Sequence, residues 1–294
     1  PAVSNPEQER LRRGLARDDL FTVVIDIFET DSTDYADFVL PAASFLEFDD
    51  LVSGYFNLSF SAQAQAKPPH GQSLPNQEIF RKLASFMNFP EEELYESDEK
   101  IIEKTLRDVG IEGGFKKLKS IGTTWPTDEP QIQFPEKLFP TRSGKIEISS
   151  SVAEKKGLGR LPEPIVDAPT TSDKYRLISP ASRWLMNGSY ANDDRVIKKL
   201  GSPEVIINPL DADRMGLHKG SLVSLSNEVG SIRLTVEISD VVRPGVVMSY
   251  KGRWPRQCLG VMGKNNVNFL NPGTKADMGE SSAVHNIEVS ITPV

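Results

Sequence analysis

Two stretches concentrate the side chains able to grip a polar ligand. The first runs Pro180-Ala181-Ser182-Arg183-Trp184-Leu185-Met186-Asn187-Gly188-Ser189-Tyr190-Ala191-Asn192, and the second covers Gly263 to Ser282, with Asn265, Asn266, Asn268, Asn271, Asp277 and Gly279. Both are rich in hydrogen-bonding groups, and both carry glycine where a main chain could approach a ligand closely. Ser179 leads into the first, and Lys251 is a further cation outside both. Arg183 beside Trp184 equally suits plain stacking, and Asp277 a turn cap. Other chemistries are poorly served. The single cysteine, Cys258, excludes an internal disulfide and any cysteine-ligated cluster held by this chain alone. His70, His218 and His285 share no ligand-like spacing. No serine, Ser143 and Ser189 included, sits in a Gly-x-Ser-x-Gly elbow, which removes a hydrolase reading. Ser143-Gly144-Lys145 reads as a tight turn and not a phosphate loop, because Phe139 stands five residues before Gly144.

The elements that must position these loops are clearest between Glu204 and Pro255. Val205 to Asn208 reads as a short buried strand, Leu210 to Met215 as a helical turn closed by Gly216, and Ser221–Ser226 and Ile232–Ile238 as two alternating strands around Asn227 to Gly230. Arg243-Pro244-Gly245 turns into a further strand from Val246 to Tyr250. Tyr175–Ser179 and Ile287–Ile291 add one strand before and one after. Period-2 alternation buries one face and wets the other, which a small closed sheet supplies. Leu161 to Ser172, with three prolines among small polar residues, has linker composition.

Upstream the grammar is α/β. Asn5 to Ala16 is helix-favouring, Leu20 to Phe28 is a continuous apolar run suited to a strand covered on both faces, and Phe38 to Pro41 is a short strand. Asp26 and Thr30 are polar positions at the end of the first run; a solvated or capping carboxylate is the bland account of Asp26. Gly54 to Gly71 reads as irregular, Asn76 to Asn88 and Glu91 to Val109 as containing helices, Gly110 to Pro140 as a surface insertion without period, and Leu138 to Ile148 as strand-turn-strand.

In order and spacing, Ile207-Asn208-Pro209-Leu210-Asp211-Ala212, Gly216-Leu217, Lys219-Gly220, Val223 to Gly230 and Arg243-Pro244-Gly245-Val246-Val247 resemble the C-terminal domain of the molybdopterin oxidoreductases of the dimethyl-sulfoxide-reductase type. Phe21 to Asp31, Tyr35 to Ala43 and Glu47 resemble the end of that family's central α/β domains. The resemblance covers the whole chain but only the C-terminal part of such an enzyme. It implies an α/β fragment over 1–160, a linker over 161–174, and a mainly-β, double-psi-like barrel of about six strands over 175–294. It also implies a bis-molybdopterin guanine dinucleotide carrying molybdenum or tungsten, serving a two-electron redox or oxygen-atom transfer reaction. The matching positions for cofactor binding are Asp26, Thr30, Ser179, Arg183, Asn187, Ser189, Lys251, Asn268, Asp277 and Gly279. Asparagine amides suit a pterin edge because donors and acceptors alternate along it. Arg183 and Lys251 suit phosphate or a pterin ring, and Asp277 a guanine amino group.

The partners implied are the N-terminal domains of the same polypeptide, which would carry any iron-sulfur cluster, and an electron-transfer subunit. By itself the chain is expected to be inactive and to self-associate. The rival reading is a non-catalytic β-barrel that holds a small ligand or assembles with a partner. A net charge of −7 argues against nucleic acid, and no run of roughly 18 apolar residues spans a membrane. The cytoplasm is the expected address and the periplasm its alternative; the chain starts at Pro1 with no targeting segment and reads as a fragment or processed product, so its first residue says little about its address.

Overall fold

A computed structural model describes residues 1–129, 132–163, 170–171, 173–257, 265–276 and 278–294. In chain order its elements are α1 (Gln8–Leu15), β1 (Val23–Asp26), β2 (Phe38–Pro41), β3 (Asp50–Ser53), β4 (Phe60–Gln63), α2 (Asn76–Phe86), α3 (Asp98–Asp108), α4 (Gly114–Ile121), β5 (Thr123–Thr124), α5 (Ser151–Lys155), β6 (Tyr175–Ile178), α6 (Asp194–Leu200), β7 (Glu204–Ile207), α7 (Pro209–Met215), β8 (Leu222–Ser226), β9 (Ser231–Ile238), β10 (Val246–Met248) and β11 (Ile287–Pro293). Single 3₁₀ turns lie at Thr33–Tyr35, Glu92–Tyr95, Pro255–Gln257 and Val267–Leu270. Contacts divide the chain into two units. One comprises Pro1–Thr22, Thr30–Ala36 and Ile148–Val294, and the other Val23–Glu29 and Asp37–Glu147.

The first unit is built on a closed six-stranded barrel in the order β10-β6-β11-β8-β9-β7. Two parallel pairs, β6–β10 and β7–β9, are set among four antiparallel ones, the double-psi-like arrangement expected. Closure follows from the alternation. Val223 and Leu225 on β8, and Ile232, Leu234 and Val236 on β9, all turn inward and are buried with Leu177, Val205, Ile207, Val247, Phe269, Leu270 and Ile287. A closed ring also leaves no unpaired edge. Between β7 and β8, α7 starts where Asn208 Oδ1 accepts from the Leu210 NH at 3.0 Å, with Pro209 in its first turn, and stops at Gly216 in the left-handed region. Buried Asp211 ties this helix to the β10 turn, accepting from Arg214 at 2.6 Å and from the Gly245 NH at 2.7 Å.

The second unit has two small sheets. β1 and β2 pair in parallel only with each other, while β3, β4 and β5 form an antiparallel sheet. Against the latter, Ile102 and Leu106 of α3 and Phe115 and Leu118 of α4 form one buried cluster, with Leu51, Ala62 and Ile111 at its margin. On α2 only Ile79 and Ala84 of the apolar stripe are buried, while Phe80, Phe86 and Met87 are exposed.

Several expectations are corrected here. The run from Leu20 to Phe28 is not a strand covered on both faces: β1 has four residues and a single partner, and Val23, Ile27 and Phe28 remain exposed. Gly110 to Pro140 is not a featureless insertion, because Phe115 and Leu118 lie three apart and bury one face of α4. Gly54 to Gly71 contains β4, the central strand of its sheet. Leu138 to Ile148 forms no strands; only its turn appears, with Gly144 at φ 68° and its NH donating to the Thr141 carbonyl at 3.1 Å. Pro1–Thr22 and Thr30–Ala36 pack with the barrel's unit, because α1 and the residues before it bond to barrel loops. Residues 164–169 and 172 of the expected linker lie outside the described residues.

Candidate functional site

The first amide-bearing loop is held by the segment after β10. Ala181 bridges Lys251 in parallel register, extending β6–β10 pairing, and the Lys251 NH donates to the Pro180 carbonyl at 3.1 Å. Gly252 follows at φ 102°, where an added Cβ would stand 2.0 Å from the Asn187 carbonyl oxygen. Only glycine fits that approach. Trp254 Nε1 donates to the Gly188 carbonyl at 2.7 Å, and its ring packs with Val3, Leu185 and Ala191. The Arg253 guanidinium donates to the Leu200, Gly201 and Ser202 carbonyls, closing the C-terminus of α6. On the exposed side, Arg183 lies 4.7 Å from the Trp184 ring centroid and Lys199 4.4 Å, so this indole is flanked by two cations. Asn187, at φ 53°, and Ser189 are exposed at the loop tip. Ser179 is buried, its Oγ donating to the Val284 carbonyl at 3.2 Å and its NH to His285 Nδ1 at 3.4 Å.

The second loop meets the same structure through the chain's first residues. The Val3 carbonyl accepts from Asn266 Nδ2 at 3.2 Å and from Asn268 Nδ2 at 2.8 Å, while Asn266 Nδ2 also donates to the Arg253 carbonyl at 2.7 Å. Asn266 Oδ1 caps the following 3₁₀ turn by accepting from the Asn268 NH at 2.9 Å. The amide donor of Asn268 is thus engaged within the chain. Asn265, one residue before this network, is 2% exposed, and neither its Nδ2 nor its Oδ1 has a partner. Farther on, Lys275 bridges Ser282 to form a short hairpin with Gly279 exposed near its tip. Asp277 lies outside the described residues.

A third strand of chain completes the arrangement. The Thr30 carbonyl accepts from Arg256 Nη1 at 3.1 Å, yet Thr30 Oγ1 is buried without a partner. Asp31 accepts from Arg12 through Oδ1 at 3.1 Å, and its Oδ2 is buried and unpartnered. Burial pushes the Asp31 carboxyl above its ordinary value, against the downward pull of the Arg12 guanidinium. Ser32 Oγ accepts from the Ala2 NH at 3.1 Å, and Arg12 lies 5.0 Å from the centre of the Phe269 ring. Residues 1–3, 30–32, 253–256 and 265–268 therefore form one hydrogen-bonded set containing four buried atoms without partners.

Each such atom forgoes a hydrogen bond that water would give it, at a cost of about 1–3 kcal/mol. These atoms comprise an amide, a hydroxyl and a carboxylate oxygen, a set that complements a neutral or amino-bearing polar heterocycle. No group of three or more His, Cys, Asp or Glu among the described residues could hold a metal. Among the described residues, the unpartnered polar groups of this set fit the organic part of a cofactor. Asp26 stands in the other unit, where its Oδ1 accepts from the Ile27 NH at 2.7 Å and the Phe28 NH at 3.4 Å. The sequence alone does not single out Asn265 or Asp31. Asn265 lies within an amide-rich stretch, but Asp31 looks like any carboxylate in a polar turn.

A family model for the molydopterin dinucleotide binding domain matches residues 175–286, and one for molybdopterin oxidoreductase matches residues 1–86. The probable oxidoreductase YoaE of Bacillus subtilis (strain 168) is 33% identical over 307 residues, covering 100% of this chain and 43% of that protein. The dimethyl sulfoxide/trimethylamine N-oxide reductase of Cereibacter sphaeroides is 28% identical over 86% of this chain and 35% of that protein. Among solved structures, acetylene hydratase from Pelobacter acetylenicus superposes with a TM-score of 0.83 at 19% identity, covering 100% of this chain and 43% of that one, a likeness of fold. The chain spans less than half the length of each of these proteins.

Proposed function

Because the chain belongs to the molybdopterin oxidoreductases of the dimethyl-sulfoxide-reductase type, we propose that it is the cofactor-gripping C-terminal part of an enzyme using bis-molybdopterin guanine dinucleotide with molybdenum or tungsten. When bound, that group supplies the two-electron redox or oxygen-atom transfer chemistry. The chain's own contribution is to bind and orient. The observation that carries this reading is the set of unpartnered buried polar atoms at Thr30 and Asp31, within the residues that the molybdopterin oxidoreductase model matches, and at Asn265, within those that the dinucleotide-binding model matches.

Within this proposal, Asn187 and Ser189 offer hydrogen-bonding groups to the pterin edges, Asn268 and Ser179 offer acceptor oxygens because their donors are engaged within the chain, and Thr30 serves the dinucleotide. Arg183 and Lys251 face phosphate or ring, Gly279 gives close main-chain access, and Asp26 and Asp277 are further polar contacts. Residues 1–160 are the end of the α/β part, 161–174 the join and 175–294 the dinucleotide domain. Other domains of the same polypeptide supply the rest of the pocket and any iron-sulfur cluster, so this chain alone is inactive. An electron-transfer subunit is the expected partner, in the cytoplasm or the periplasm. The test is to purify the full polypeptide from cells given molybdate or tungstate and to measure metal and released guanosine monophosphate per chain. The expected result is both together, with nucleotide in excess of metal as a paired cofactor requires. Protein free of both would overturn the proposal in favour of a non-catalytic barrel module.

A further inference from the structure

We infer that Asn265 is the amide of this chain that pairs with the 2-amino-4-oxopyrimidine edge shared by pterin and guanine, an inference that rests on the cofactor reading above. Four asparagines crowd the stretch from 265 to 271, and the structure separates them by what each amide already does. Asn266 Nδ2 serves the Val3 and Arg253 carbonyls and its Oδ1 caps the 3₁₀ turn. Asn268 Nδ2 serves Val3, and Asn271 Oδ1 accepts from the Gly273 NH at 2.9 Å. Asn265 alone among them keeps both amide atoms buried and unpartnered.

A solvent-facing amide satisfies itself with water, and a structural amide is satisfied by the chain. An amide shut from water with both atoms idle satisfies neither description. One Oδ1 and one Nδ2 side by side match an adjacent ring NH or amino donor and ring oxygen or nitrogen acceptor. Both a pterin and a guanine present that pair on one planar edge, whereas an ionised phosphate presents acceptors only. Thr30 Oγ1 and Asp31 Oδ2, also buried and unpartnered, are further acceptors that suit an amino-bearing ring.

The assignment makes an unusual demand on one substitution, that it act in opposite directions in the empty and loaded protein. Asn265→Leu keeps the branched shape but removes the two idle polar atoms. In full-length protein from cells unable to make the cofactor, the variant should melt about 2–4 °C above wild type. In cofactor-replete cells it should bind the dinucleotide ~5–150-fold more weakly, the equivalent of one buried pairing lost, read as pterin and guanosine monophosphate released per chain. Asn265→Asp, which keeps the shape but exchanges the donor for an acceptor, guards against a folding defect in the leucine variant. It should lose cofactor at pH 8 and recover part of it at pH 5 as the new carboxyl takes up a proton.

Neopterin and guanosine monophosphate, titrated separately into cofactor-free wild type, tell which ring is held, since only that one should raise the melting temperature and only when Asn265 is intact. A leucine variant that melts lower when empty, or retains wild-type cofactor content, would remove Asn265 from the site. Wild type without any dinucleotide would instead overturn the cofactor reading itself.

Discussion

The tightest constraint on a single residue is at Gly252, where the positive φ and the 2.0 Å approach to the Asn187 carbonyl leave no room for a side chain. Gly252→Ala should cost about 1–3 kcal/mol through backbone strain alone, with the displaced Asn187 loop adding to it. Calorimetric melting beside an Ala substitution at open, exposed Gly279 is the check. A second case concerns charge. Burial first, and the neighbouring Glu237 carboxylate second, push the Glu204 carboxyl above its ordinary value. A carboxyl raised in this way contributes its stability below the unfolded-state value and loses it as pH rises through the folded one. Glu204→Gln should therefore be more stable than wild type at pH 7, and the advantage should vanish below about pH 4. A constant difference across denaturation curves from pH 4 to 8 would refute the cause. Site residues were legible in sequence as loops but not as atoms. Counting amides marks 265–271, yet only the coordinates show that Val3 engages Asn268 and leaves Asn265 idle.

Among elements, the barrel was the most legible, because two alternating strands around a glycine turn, with four further strand-like segments beside them, bury their inward side chains by closing. All six became its strands. The α/β region was harder to read for a physical reason: β3, β4 and β5 are two to four residues long and their burial comes from α3 and α4 packing across them. If those helices hold the small sheet, Leu106→Ala should destabilise the second unit by ~2–5 kcal/mol, the usual cost of emptying a fully buried leucine site. Hydrogen exchange should then rise at β3, β4 and α4 and stay unchanged in β8 and β9. Uniform exchange over both units would show that they unfold as one.

At the scale of the whole molecule, the balance of exposed surface is unusual for a chain with net charge −7. Phe56 is 93% exposed and Phe86 85%, with Tyr55, Phe80 and Met87 also open. Apolar surface of this kind favours association. We expect this 294-residue chain to sediment as a dimer or larger at micromolar concentration, and the Phe56→Asp, Phe86→Glu double variant to shift towards monomer. A clean monomer for the unmodified chain would contradict that. No helix among the described residues is long and apolar enough to cross a membrane. The Val3 carbonyl, finally, accepts from two amides that lie 263 and 265 residues further along the chain. During synthesis at about 5–20 residues per second, the opening segment must wait on the order of tens of seconds before its partners leave the ribosome. Those two bonds thus form late relative to the local ones around them, Ala2 with Ser32 and Arg12 with Asp31, whose partners lie 30 and 19 residues apart.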